Sequence, residues 1–122
     1  MAQKRILIVD DDAGLTQRMK TGLETTGDYV VRTVNDAPRA VATAQDFRPD
    51  LIFLDIMMPK MDGGDVAFQM QAIPSLRHVP IVYLTAIVTK NEAGAHATVQ
   101  ERFLAKPAEL PEVMGCIKEC LG

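Results

Sequence analysis

The stretch that most constrains this chain is ILIVDDD, residues 6–12, an apolar run that ends abruptly in three consecutive carboxylates. Ile6, Leu7, Ile8 and Val9 suit a strand buried on both faces, as in the middle of a parallel sheet. Such a strand delivers the residues after it to one edge of the sheet. Here those residues are Asp10, Asp11 and Asp12, and like charges this close repel unless a cation or a basic side chain sits among them. A cation site is therefore expected at that edge.

The same pattern recurs along the chain. LIFLD (51–55) is a second apolar run ending on an acid, PIVYL (80–84) leads into Thr85, and the short RFLA (102–105) leads into Lys106. Between these runs the apolar spacing becomes helical. Leu15, Met19 and Leu23 share one face of a helix over 13–26, which Asp12 can cap and Gly27 stops. YVVRTV (29–34) is a β-branched strand. Asn35 or Asp36 caps the next helix, with Pro38 in its first turn and Ala37, Ala40, Val41, Ala44 and Phe47 as its buried stripe. MMPKMDGG (57–64) reads as a loop before a helix marked by Val66, Ala67, Met70 and Ile73. Thr89 and Glu92 form a capping box for a fourth helix, and a fifth starts near Pro111 with Leu110, Val113, Met114, Ile117 and Leu121 facing the core.

Five strands alternating with five helices predict an α/β fold, a doubly wound parallel sheet covered on both faces. At 122 residues the chain is expected to form one domain, residues 1–122. Its apolar runs are far shorter than the roughly 20 residues that span a bilayer, and the N-terminus lacks the layout of a signal peptide. No membrane segment and a cytoplasmic location are the expectations. A formal charge of −3 argues against direct nucleic-acid binding, which needs a basic patch. Cys116 and Cys120 make no zinc-ligand spacing with His78 or His96 and read as packing residues on a helix.

In open parallel sheets, sites lie beyond the carboxyl ends of the strands. The residues expected there are Asp10, Asp11, Asp55, Thr85 and Lys106: three carboxylates, a hydroxyl and an ammonium. Singly, each has an ordinary reading as a helix cap, a turn residue or a solvated charge. Together at successive strand ends they describe a site. Grouped carboxylates suit a small hard cation such as Mg²⁺, and with a cation present Asp55 can stay ionised and attack phosphorus. Thr85 would then donate a hydrogen bond to the phosphoryl group and Lys106 would supply a point charge.

The stretches ILIVDDD, LIFLDIMMPKMDG, IVYLTA and FLAKP, in that order and at this spacing, resemble the receiver domain of two-component response regulators, the CheY-like group, over essentially the full length. The resemblance implies the flavodoxin-like strand order 2-1-3-4-5. It implies that Asp55 is the phosphoacceptor, that Asp11 ligates Mg²⁺ directly, that Asp10 partners the metal through water, and that the Met57 backbone carbonyl is a further ligand. It also implies that Thr85 and Lys106 bind the phosphoryl group, that Phe103 holds the switch-aromatic position, and that the donor is a sensor histidine kinase or phosphotransfer protein.

Two other readings compete. A phosphatase of the haloacid dehalogenase type also forms an aspartyl-phosphate with Mg²⁺, but it wants a second aspartate two residues after the nucleophile, where Met57 stands. A docking module could keep the fold and ignore phosphate, and absence of any phosphate effect on partner affinity would favour it. Because Met57 and Ile87 are apolar, neither can hydrogen-bond an attacking water, and an aspartyl-phosphate here is expected to be long-lived.

Overall fold

The computed structural model describes residues 3–58, 62–85, 102–106 and 108–121. In chain order the elements are β1 (Lys4–Val9), α1 (Ala13–Thr25), β2 (Tyr29–Val34), a 3-10 turn (Ala37–Arg39), α2 (Ala40–Phe47), β3 (Leu51–Asp55), α3 (Gly63–Gln71), β4 (Ile81–Thr85), β5 (Arg102–Ala105) and α4 (Leu110–Leu121). The helix expected from Thr89 lies outside the described residues, as do Met61, Ile87 and His96.

All five strands join one parallel sheet in the order β2-β1-β3-β4-β5. The doubly wound α/β architecture is as expected. Since successive strand residues point to opposite faces, each central strand feeds two cores. Leu7, Val9, Ile52 and Leu54 face Ala40, Ala44 and Phe47 of α2 and Val66, Ala67 and Met70 of α3. Ile6, Ile8, Leu51, Phe53, Val82 and Leu84 face Leu15, Met19 and Leu23 of α1 and Val113 and Ile117 of α4. Each such side chain taken fully out of water contributes about 1.5–3 kcal/mol, which is why strands with no polar face sit in the middle of the sheet.

Local signals fix both ends of α1 and the start of α3. The Asp12 carboxylate accepts from the Leu15 N–H at 3.0 Å at the start of α1, and Gly27, at φ +84°, takes the left-handed turn that ends it. Three expectations shift. Gly63 and Gly64, read as loop, form the first turn of α3, because Asp62 caps it by accepting from the Gly64 N–H at 2.7 Å. Pro38 sits in a separate 3-10 turn before α2, and the Asp36 side chain makes no cap bond there. Leu110, placed on the core stripe of the last helix, is 36% exposed: it overhangs Gly22 of α1, which has no side chain to cover it.

No helix among the described residues is long and apolar enough to cross a membrane. Cys116 and Cys120 are half-buried free thiols packed against the α1/α4 core, and burial, with Cys120 and Glu119 adding to it, pushes the Cys116 thiol up to about 11. Such thiols are poor nucleophiles at neutral pH, in keeping with a packing role.

Candidate functional site

A chain that buries polar groups must hydrogen-bond or pair them, so their location is informative. Among the described residues, the buried polar side chains are Asp10, Thr16, Asp55 and Thr85. Asp10 follows β1, while Asp55 and Thr85 are the last residues of β3 and β4, so all three lie at the carboxyl edge of the sheet. Lys106, directly after β5, joins them there: its N–H donates to the Thr85 carbonyl at 2.9 Å.

The side chains converge. Lys106 Nζ lies 2.5 Å from Asp10 Oδ2 and 3.3 Å from Asp55 Oδ1. Carboxylate oxygens of Asp10, Asp11 and Asp55 all fall within 4.8 Å of one another. Asp10 is fully buried and Asp55 is 3% exposed, whereas Asp11 is exposed and opens the cluster to solvent. Asp55 Oδ1 also accepts from the Met57 N–H at 3.2 Å, and Asp10 Oδ1 accepts from the Asp12 N–H at 2.9 Å.

These surroundings set the charge states. Burial, with the Asp10 carboxylate beside it, raises the Asp55 pKa to about 6, against the pull of the Met57 N–H and Lys106. For Lys106 burial works downward, but Asp10 and Asp55 outweigh it and hold the ammonium above the ordinary lysine value. Lys106 therefore stays charged at neutral pH.

Two observations fit the cluster to a divalent cation. Three carboxylates against one ammonium leave a charge of −2 when all are ionised. Asp10 Oδ2 is a buried, charged oxygen whose neighbour is the Lys106 ammonium, so a cation already balances this carboxylate from one side. Oxygen donors of this number and hardness suit Mg²⁺ better than a soft metal.

Of the residues singled out in the sequence, Asp10, Asp11, Asp55 and Lys106 meet at one point, and Thr85 stands at the same edge, joined to Lys106 through the backbone. The Met57 side chain is 62% exposed. Phe103 is half-buried on β5 in register with Tyr83 of β4, their ring centroids 5.5 Å apart. Two participants carry no sequence signal of their own. Asn35, read as a cap, instead donates from Nδ2 to the Asp10 carbonyl at 2.8 Å and to Thr16 Oγ1 at 3.0 Å. Gly63 donates its N–H to the Ile56 carbonyl at 2.9 Å, and a Cβ on it would lie 2.3 Å from the Asp55 carbonyl oxygen.

Comparison with known proteins identifies the family. The chain is 31% identical over 120 residues to the polar-differentiation response regulator DivK of Brucella anthropi, covering 98% of this chain and 97% of DivK. It is 37% identical over 107 residues to the response regulator PleD of Caulobacter vibrioides, which is 86% of this chain but 23% of PleD. The chain thus spans less than a quarter of one relative and nearly all of the other. The chemotaxis protein CheY4 of Vibrio cholerae superposes with a TM-score of 0.84 at 30% identity, over 98% of this chain and 100% of that one. The sequence pattern of the response regulator receiver domain matches residues 6–118, which takes in every strand end at the acidic edge, and the chain belongs to that family.

Proposed function

We propose that this domain accepts a phosphoryl group on Asp55 from a phosphohistidine of a sensor kinase or phosphotransfer protein, with Mg²⁺ held at Asp10, Asp11, Asp55 and the Met57 carbonyl. The observation that supports this best is the buried Asp55 carboxylate with a buried acid on one side and an ammonium bridging both. A carboxylate oxygen attacks phosphorus, the O–P bond forms as the N–P bond of the donor breaks, and the imidazole leaves with a proton from solvent. Bound at the cluster, the divalent cation supplies neutralisation of the phosphoryl oxygens.

The chain's own groups do the rest. Lys106 holds Asp55 from one side and offers its charge to the arriving phosphoryl oxygens, and Thr85 donates its hydroxyl to them. The new negative charge draws Thr85 and Lys106 inward and shifts the face formed by β4 and β5, with Phe103 as the side chain that reports it. The reading includes a cytoplasmic location, no contact of this domain with nucleic acid, and no catalytic activity beyond assisting its own phosphorylation and dephosphorylation. Intact mass after incubation with acetyl phosphate tests it: one added phosphoryl group with Mg²⁺ and none with chelator is the expected result. Equal labelling in both would remove the metal from the account.

The raised Asp55 pKa has a consequence for stability. In the unfolded chain Asp55 loses its proton near 4, in the folded chain near 6, so the folded state binds more protons between these values. Stability is therefore lost as pH rises through that window, and the ionised group costs stability at pH 7. In metal-free buffer Asp55→Asn is expected to be more stable than wild type by about 1–2 kcal/mol at pH 7, with the gain fading below pH 5. Urea unfolding at the two pH values checks this, and a gain independent of pH would contradict it.

A second expected outcome concerns lifetime. Met57, exposed and apolar, offers no hydrogen bond to an attacking water, so Met57→Asn should speed loss of the phosphoryl group several-fold. Decay of the phosphorylated species by mass gives the rate; an unchanged or slower decay counts against a role for this position.

A further inference from the structure

Asn35 stands outside the acid cluster but is tied to it. Besides the Asp10 carbonyl, its Nδ2 engages the hydroxyl of Thr16, which is 1% exposed and itself donates to the Ala13 carbonyl at 3.1 Å. One amide thus joins the end of β1 to the first turn of α1, the two sides of the acidic loop. The Asp10 N–H donates to the Val34 carbonyl at 3.0 Å, and Asp10 Oδ1 accepts from Asp12. The Asp10 N–H, carbonyl and Oδ1 are thus held by hydrogen bonds, and Oδ2 is paired with the Lys106 ammonium.

We infer that Asn35 is a positioning residue for divalent-cation binding: its amide fixes the Asp10 peptide so that the Asp10 carboxylate stays in the cluster with Asp11 and Asp55. The inference rests on the reading of that cluster as a cation site. Asn35 also lines an open groove of about 730 Å³ with Val34, Asp36 and Arg39. An amide removed there is replaced by water, which satisfies the carbonyl without fixing its direction. Partners that orient metal-binding groups without touching the metal commonly govern affinity by tenfold or more.

The test is the Mg²⁺ dissociation constant, measured by calorimetry on wild type, Asn35→Ala and Asn35→Leu, with melting temperature in chelator measured alongside. Leucine keeps the branching of asparagine at Cγ without its donors, so a poorly folded alanine variant does not end the test. Both variants are expected to bind Mg²⁺ roughly tenfold more weakly than wild type at temperatures where they are fully folded. A lowered melting temperature with unchanged Mg²⁺ affinity would show a purely structural role and overturn the inference alone. Wild type that fails to bind Mg²⁺ would overturn the cation-site reading, and this inference with it.

Discussion

Gly63→Ala is expected to cost about 3 kcal/mol of stability and to slow phosphoryl uptake by up to about a hundredfold. The added Cβ would lie 2.3 Å from the Asp55 carbonyl oxygen, 2.7 Å from the Ile56 Cα and 3.0 Å from the Asp55 carbonyl carbon. All three are backbone atoms, so no side chain can swing aside. Either α3 retreats from the end of β3, breaking the bond from the Gly63 N–H to Ile56, or the peptide that carries Asp55 moves. The second response displaces the proposed acceptor from Lys106 and Asp10. Gly64→Ala is the control, since its nearest neighbour is a side-chain oxygen of Asp62 at 3.3 Å, and it should cost no more than about 1 kcal/mol. Urea midpoints and the rate of labelling by acetyl phosphate decide the matter. Wild-type stability and rate in Gly63→Ala would mean that this close approach does not position Asp55.

Removing the ammonium has the second large effect. In Lys106→Met the stem remains, but Asp10 and Asp55 are left as buried neighbours of like charge. Breaking a fully buried ion pair from one side costs about 3–5 kcal/mol. Because the exposed Asp11 side of the cluster is open to water, about 2–3 kcal/mol is expected here in metal-free buffer at pH 7. Lys106 is one of the groups that pull the Asp55 pKa down, so its loss moves Asp55 further above about 6. Protonation of Asp55 then relieves the repulsion, and the deficit of the variant should shrink between pH 7 and pH 5. Mg²⁺ should restore part of it at pH 7. A deficit that ignores both pH and Mg²⁺ would contradict this account of what the lysine offsets.

Strand periodicity and strand ends made most of the edge legible in the sequence. ILIV and LIFL are apolar at every position, which only a doubly covered strand tolerates, and the acids after them must then lie at one edge. Asp10, Asp11 and Asp55 were legible for that reason, and Lys106 because it follows the last short strand, RFLA, of the same alternation. Asn35 was not: an asparagine after a strand is a plausible cap, and only the adjacency of β1 and β2 shows that its amide reaches Asp10. Gly63 looked like loop flexibility because the closeness of α3 to the end of β3 is a tertiary distance. The pairing of Tyr83 with Phe103 likewise needs the β4–β5 register, which neither strand encodes alone. Leu110 has the right helical spacing for the core, yet spacing does not reveal that Gly22 lies beneath it.

The central claim is that Asp55 itself takes the phosphoryl group, and chemical mapping of the adduct tests it most directly. The chain is incubated with acetyl phosphate and Mg²⁺, reduced with borohydride, which converts an acyl phosphate to homoserine, and digested for peptide mass analysis. Homoserine at position 55 alone, absent without Mg²⁺ and absent from Asp55→Asn, is the predicted result. Homoserine at Asp10, Asp11 or Asp12, or a phosphoryl adduct that persists in Asp55→Asn, would contradict it.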